Sequence, residues 1–470
     1  MMVDVTSDQT RSDIAHLYRR AGFGARPDEL DAAADAGYQA TVEGLLAGTG
    51  TAPDPTGDRV SPPAFTPYLR PTAAKGTPDA IAAARAKNQA NAVELAALEQ
   101  WWLDRMIATS TPLREKLTLL WHGHFATGYS KVRDPKLMYI QNQLWRTAGA
   151  GSFGALVQAM AKDGAMMVWL DTATDKKAHP NENFARELME LFTLGVGNYS
   201  QTDVEQGARG FTGWTYDRIN YRYRFLPRQH DDGVKNFLGQ TGNLAGEEVI
   251  DIILAQPESA RFVVAKLWGH LAYPVAPSDP VVTGLLASYQ PASPLNGLLR
   301  AIFFHPQFLS STARAGLVKQ PIEYLVGAAR ALHLDAHLQR VDPQTGVAAA
   351  VAPPAKATAA AAYRTTLVAF ATALSQTPFN PPNVGGWPQN SYWLNTATAV
   401  ARLQVAQLLA AKADLSAIDG LPASQRSDAV AHLLGIDGWG QTTAAALSHV
   451  VSEPASLVAL ALNAPEYILN

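Results

Sequence analysis

The chain has 470 residues, with 38 Lys and Arg against 41 Asp and Glu, a formal net charge of −3. That balance, with no basic run, excludes the concentrated positive face that nucleic acid or an anionic membrane surface requires. With no Cys, disulfides, thiolate zinc sites, iron–sulfur clusters and a cysteine nucleophile are excluded, so any metal must use His, carboxylate or amide oxygen ligands. Apolar residues at 47% and charged residues at 17% describe a folding chain rather than a disordered one.

Residues 1–20 hold no apolar segment of the signal-peptide kind. No charge-free apolar run reaches the length of about 18 residues that a membrane span needs. The expectation is a soluble, cytoplasmic protein, with export alongside a partner left open. At roughly 150 residues per domain the length admits up to about three domains, or one large helical one.

Helix starts recur along the chain. Thr77-Pro78, Thr111-Pro112 and Asp134-Pro135 each set a capping residue before a Pro at the first helical position. A long helix is expected over 78–109. Leu113, Leu117, Leu120 and Trp121 fall on one helical stripe, and Thr202 with Glu205 reads as a capping box. Around 214–226, Trp214, Tyr216, Tyr221, Tyr223 and Phe225 alternate with polar residues across a turn, the pattern of a β-hairpin. Residues 51–75 and 340–357 read as Pro-rich loops. Residues 376–394 carry Trp387, Tyr392 and Trp393 among many Pro and Gly, which predicts a long loop packed against the protein. The expected fold is mainly α: one large multi-helix domain over 1–425 with a small hairpin and long packed loops, and a helical cluster over 426–470 packed on it.

Three segments carry candidate chemistry. In Leu120-Trp121-His122-Gly123-His124-Phe125, a helix ending at Gly123 would let His122 and His124 converge on one ion; an unbroken helix would point them about 200° apart. The bland alternative is a pair of helix-end histidines. In the segment 181–195, an Asn start and a Gly stop frame a helix whose Asn183, Glu187 and Glu190 lie within about 60° of one another beside the apolar face. Arg186 stands four residues before Glu190, as a surface ion pair would. Gln229-His230-Asp231-Asp232-Gly233-Val234-Lys235 offers a histidine with a neighbouring carboxylate, or a polar turn closed by Gly233. His16, His270, His305, His333, His337, His432 and His449 read as structural, and His179 as an outside candidate. Arg19 and Arg20 suit a helix C-terminus.

Taken together, HLYRRAGFG (16–24), LTLLWHGHF (117–125), NENFARELMELFTLG (181–195), ARGFTGW (208–214), HDDGVKNFLG (230–239), ARFVVAKLW (260–268), KQPIEYLVGAARAL (319–332) and FNPPNVGGWP (379–388) resemble a bacterial domain-of-unknown-function family, the one numbered 1800. The resemblance implies one mostly helical domain over most of the chain. It picks out His122, His124, Asn181, Asn183, Arg186, Glu187, Glu190, His230, Asp231, Gly233, Lys235, Asn380, Asn383 and Trp387. It also implies a possible partner, a co-encoded protein resembling sulfatases, but no reaction.

Three functions stay open. In the first, a metal-dependent hydrolase or transferase holds a divalent ion (zinc, iron, manganese or copper) on His122, His124, His230 and Glu187. Glu187, Glu190, Arg186 and Asp231 are then the catalytic candidates, and Asn183, Lys235, Asn383 and Trp387 contact a polar or polymeric substrate. In the second, a carboxylate pair cleaves a glycan without metal. In the third, the protein is a helical partner or maturation factor and the polar cluster is a buried network.

Overall fold

In the computed structural model residues 5–68, 74–334 and 367–469 are described. The expected 340–357 loop lies outside them. The helices run α1 (Val5–Ala21), α2 (Pro27–Ala36), α3 (Tyr38–Ala47), α4 (Pro78–Ala108), α5 (Pro112–His124), α6 (Tyr129–Val132), α7 (Pro135–Ala148), α8 (Phe153–Ala161), α9 (Gly164–Trp169) and α10 (Glu182–Glu187). After a π-helix at Leu188–Thr193 come α11 (Gln201–Phe211), α12 (Gly246–Leu254), α13 (Pro257–Leu271), α14 (Pro280–Leu285), α15 (Asn296–Phe303), α16 (Ser311–Arg314) and α17 (Pro321–Ala331). A helix at 367–373 is α18, followed by α19 (Thr396–Lys412), α20 (Ser416–Asp419), α21 (Ala423–Leu434), α22 (Gln441–Ser448), α23 (Pro454–Ala461) and α24 (Pro465–Ile468). None among the described residues is long and apolar enough to cross a membrane.

Local chemistry starts these helices much as expected. The Thr77 hydroxyl accepts the Ala80 N–H at 3.3 Å, and Asp134 accepts those of Lys136 and Leu137. Two expected caps differ. The Thr111 hydroxyl turns instead to Asp54 at 3.2 Å. The box on α11 is built two residues earlier, by Ser200 and Asp203, because Ser200 is the last extended residue.

The hairpin forms from β1 (Trp214–Asp217) and β2 (Arg222–Phe225), with Trp214 opposite Phe225; Tyr221 lies in the turn at φ 52° rather than in a strand. A second, unforeseen hairpin pairs β3 (Lys235–Phe237) with β4 (Gln240–Gly242). Leu238 and Gly239, both at positive φ, make the two-residue turn that such a tight connection needs.

Two large apolar cores flank α5, which gives Leu113, Leu117, Leu120 and Trp121 to one and Leu119 to the other. The expected one-sided stripe is therefore a helix buried nearly all round, and its charges are buried in pairs. Glu115 lies between Arg105 and Arg146, and Lys116 is bonded to Glu323. The second core joins α4 and α17 to α19 and α21–α24, so the C-terminal helices share apolar surface with the helices before them. The 376–394 loop is packed, with Phe379 and Trp393 wholly buried.

Candidate active site

Helix α5 runs unbroken through Gly123, and Phe125 caps it. Gly123 does not end the helix. Gly386, at φ 79°, lies against its carbonyl, where a Cβ would sit 2.1 Å from the oxygen. His122 and His124 therefore diverge. His122 is enclosed by the rings of Trp102, Trp145, Phe379 and Trp387, with centroids 5.0 Å away for Trp145 and 5.4 Å for Phe379. Its Nε2 accepts the Phe379 N–H at 2.9 Å, and burial lowers its pKa to about 3. His124 lies among Phe125, Phe153, Phe192 and Phe262 and bonds the Phe192 carbonyl through Nε2 at 3.0 Å, as a donor. Burial first, then the nearby Lys266, holds its pKa well below the usual histidine range.

The 230–235 segment is a tied loop. His230 donates Nδ1–H to the Thr212 carbonyl at 2.8 Å. Arg209 grips Asp231 through two nitrogens, at 2.7 and 3.1 Å, and holds its pKa down at about 2. The Lys235 ammonium is buried on the carbonyls of Asp231 (2.7 Å) and Gly233 (3.1 Å), so it closes the loop rather than facing a substrate. Asn383 closes a turn onto the Gly385 N–H, and Trp387 packs half-buried against His122. Among the described residues no group of three or more His, Asp or Glu side chains could hold a metal ion. His122, His124, His230 and Glu187 are therefore not brought together as a ligand set, although Nδ1 of both α5 histidines is buried without a partner.

The segment 181–195 has a different character. Asn181 caps α10 by accepting the Asn183 N–H at 3.0 Å. After Glu187 the helix widens, and the Leu194 N–H reaches back five residues to Met189 at 2.8 Å. Such π-turns are rare and concentrate at functional sites. Phe184, Leu188 and Phe192 are buried as the apolar face. Glu187 is half-buried, and its carboxylate has no hydrogen-bond or ion-pair partner among the described residues. Burial, and then the neighbouring Glu190, push its pKa up against the opposing pull of Arg186. Glu190 accepts the Tyr199 hydroxyl at 2.5 Å, and that phenol is pushed up to about 12 by burial and by this carboxylate. The expected Arg186–Glu190 pair is absent; Arg186 bonds Glu182 at 3.0 Å and Gln201 at 2.8 Å. Beside the end of the π-helix opens a cavity of about 400 Å³, lined in part by Leu194, Asn198, Arg261 and Thr283.

Other polar groups escaped the sequence reading. Asp175 is buried, accepts the Asn181 N–H at 2.9 Å, and is pushed up to about 7 by burial. On α13, Lys266 and His270 lie half-buried on one stripe. Their four-residue spacing was visible in sequence but is ordinary for any amphipathic helix.

A family model described as a protein of unknown function (DUF1800) matches residues 16–469. The chain belongs to this family. No curated protein and no solved structure matches it. The DUF1800 segments meet in space: the 379–388 stretch closes on α5 through Phe379, Gly386 and Trp387, and the 319–332 stretch through the Lys116–Glu323 pair.

Proposed function

We propose that this DUF1800 protein is an acid–base enzyme that cleaves a polar, polymeric substrate of the glycan class through Glu187 and Glu190, without a metal ion. The observation that carries the reading is the unequal setting of two neighbouring carboxyls. Glu187 has no partner among the described residues and its pKa is raised, whereas Glu190 is held by the Tyr199 hydroxyl. Pairs of carboxyls in contrasting surroundings divide acid and base roles between them. Glu187 gives its proton to the leaving-group oxygen, and Glu190, oriented by Tyr199, takes a proton from the water whose oxygen bonds to the anomeric carbon as the leaving group departs. Asn183 lies one helical turn before Glu187 and is placed to contact the substrate, and the cavity beyond Leu194 gives a chain room to continue.

The test is release of reducing ends from a panel of polysaccharides after exhaustive chelation. Glu187→Gln should lower the rate by about a thousandfold while leaving unfolding free energy within about 0.5 kcal/mol. Failure of the wild type to cleave any member, or full activity in Glu187→Gln, overturns the reading.

A second reading, a non-catalytic partner of a co-encoded sulfatase-like enzyme, draws on the structural ties of His122, Asp231 and Lys235. It predicts that adding this protein raises the thermal stability of that enzyme, equally in the Glu187→Gln variant.

A further inference from the structure

The cavity beyond the π-helix takes part of its wall from α13. The two elements touch where the chain leaves the π-helix: a Cβ on Gly195, which stands at φ 83°, would lie 3.2 Å from the Phe262 ring. Next to Phe262, Arg261 lines the cavity, and so does Glu258, one helical turn earlier. Opposite charges at this spacing ordinarily close on each other as a surface ion pair. Here they do not. Arg261 has no carboxylate within ion-pair distance among the described residues, and its one hydrogen bond there runs from Nη1 to the Thr283 hydroxyl at 3.2 Å. Glu258 is exposed, and its carboxylate has no partner among the described residues. Asn198 spends an amide N–H on the Leu194 carbonyl at 2.8 Å, which leaves its Oδ1 as an open acceptor. Ser278 and Thr283 add hydroxyls to the wall. A space of about 400 Å³, within the size range of small-molecule sites, thus holds one unspent cation, one unspent anion and several neutral hydrogen-bonding groups.

An organic acid in this space would meet Glu258, and an amine would meet Arg261. A hydroxyl suits both, because it accepts from a guanidinium and donates to a carboxylate at once. We propose that the cavity is a subsite for a neutral sugar unit, whose neighbouring hydroxyls bridge Arg261 and Glu258 while Asn198 Oδ1 accepts from a third. Its role as a subsite rests on the acid–base reading, through Tyr199, which follows Asn198 in the chain and holds Glu190; sugar binding does not. The substrate is then a neutral glycan, not a uronic-acid or amino-sugar polymer.

The experiment is calorimetric titration of the full chain with the tetrasaccharides of cellulose, starch, mannan and xylan, set against tetragalacturonate and the chitosan tetrasaccharide in its ammonium form. Saturable binding of at least one neutral tetrasaccharide is expected, with the acidic and basic ones weaker by about tenfold or more. Arg261→Met and Glu258→Gln should each weaken the neutral sugar by about tenfold. Glu258 is exposed, so its substitution tests the site without touching the core. No saturable neutral sugar, unchanged affinity in either variant, or tightest binding of tetragalacturonate or of the chitosan tetrasaccharide overturns the proposal. Glu187→Gln should bind the neutral sugar like the wild type. Binding that depends on Arg261 and Glu258 in a protein that cleaves nothing keeps the sugar site and removes the acid–base reading; cleavage that both variants leave unchanged keeps that reading and removes the subsite.

Discussion

Glu115 on α5 and Glu187 at the end of α10 are both helical carboxylates, yet they live in opposite surroundings. Glu115 is wholly buried and accepts from Arg105 at 2.7 Å, from Arg146 at 2.5 and 2.8 Å, and from the Trp102 indole at 3.1 Å. Burial alone would raise its pKa; Arg146, then Arg105, outweigh that and hold it at about 2. Glu187 is half-buried, has no partner among the described residues, and has a pKa moved the other way. The difference teaches that a polar group enclosed by its partners holds the fold, whereas one left half-buried and unfilled is available for chemistry. Asp231 and Lys235 fall on the Glu115 side of that line; Glu187 falls on the other.

The largest effect should come from the filled interior. Glu115→Ala strands two buried guanidinium groups and should cost about 3–5 kcal/mol in urea unfolding; a loss below about 1 kcal/mol would break the comparison. His122→Ala opens a hole among four aromatic rings and orphans the Phe379 N–H, for about 2–4 kcal/mol by the same measurement. Next is a pH effect at Asp163, which caps α9 and accepts from Gln141 at 2.6 Å. Burial pushes its carboxyl up to about 7, above the ordinary value, so the folded chain binds this proton more tightly than the unfolded chain. That stability is fully present below about pH 4 and is lost as pH rises through 7. Asp163→Asn should therefore gain about 2 kcal/mol on the wild type between pH 4 and pH 8, read from urea midpoints. Gln141 can turn its amide to suit, since its Oε1 has no other partner. The smallest change is expected at the edge: Arg186→Ala breaks only exposed contacts, with Glu182 and Gln201, and should shift stability by less than about 0.5 kcal/mol.

What sequence could show tracks how local the cause is. The starts at Thr77 and Asp134, the stop at Gly195, the 214–226 hairpin and the packing of the 376–394 loop rest on nearby residues and were legible. So was the position of Glu187 and Glu190 beside the buried Phe184, Leu188 and Phe192, because a polar stripe beside an apolar one is a local pattern. The divergence of His122 and His124 was not, since a glycine that ends a helix and a glycine whose carbonyl receives another strand of chain look alike in sequence. Nor was the burial of Lys235, whose ammonium is satisfied by carbonyls that no side-chain pattern announces. Nor was the π-turn after Glu187, where the Leu194 N–H reaches back five residues to Met189.

The first helix has a consequence for the order of assembly. Along α1, His16 bonds the Phe308 carbonyl, Arg20 that of Ala313, and Arg19 that of Gly435, 416 residues away. None of these ties can form before the distant residues are made, so α1 is among the last helices to be locked by polar contacts. Closure over such spans is entropically slow. The apolar residues of α1 have partners nearer by, Ile14 among Leu30 and Ala33 of α2 and Leu17 among Val42, Leu45 and Leu46 of α3, so α1 is covered locally first and pinned to the rest of the fold later.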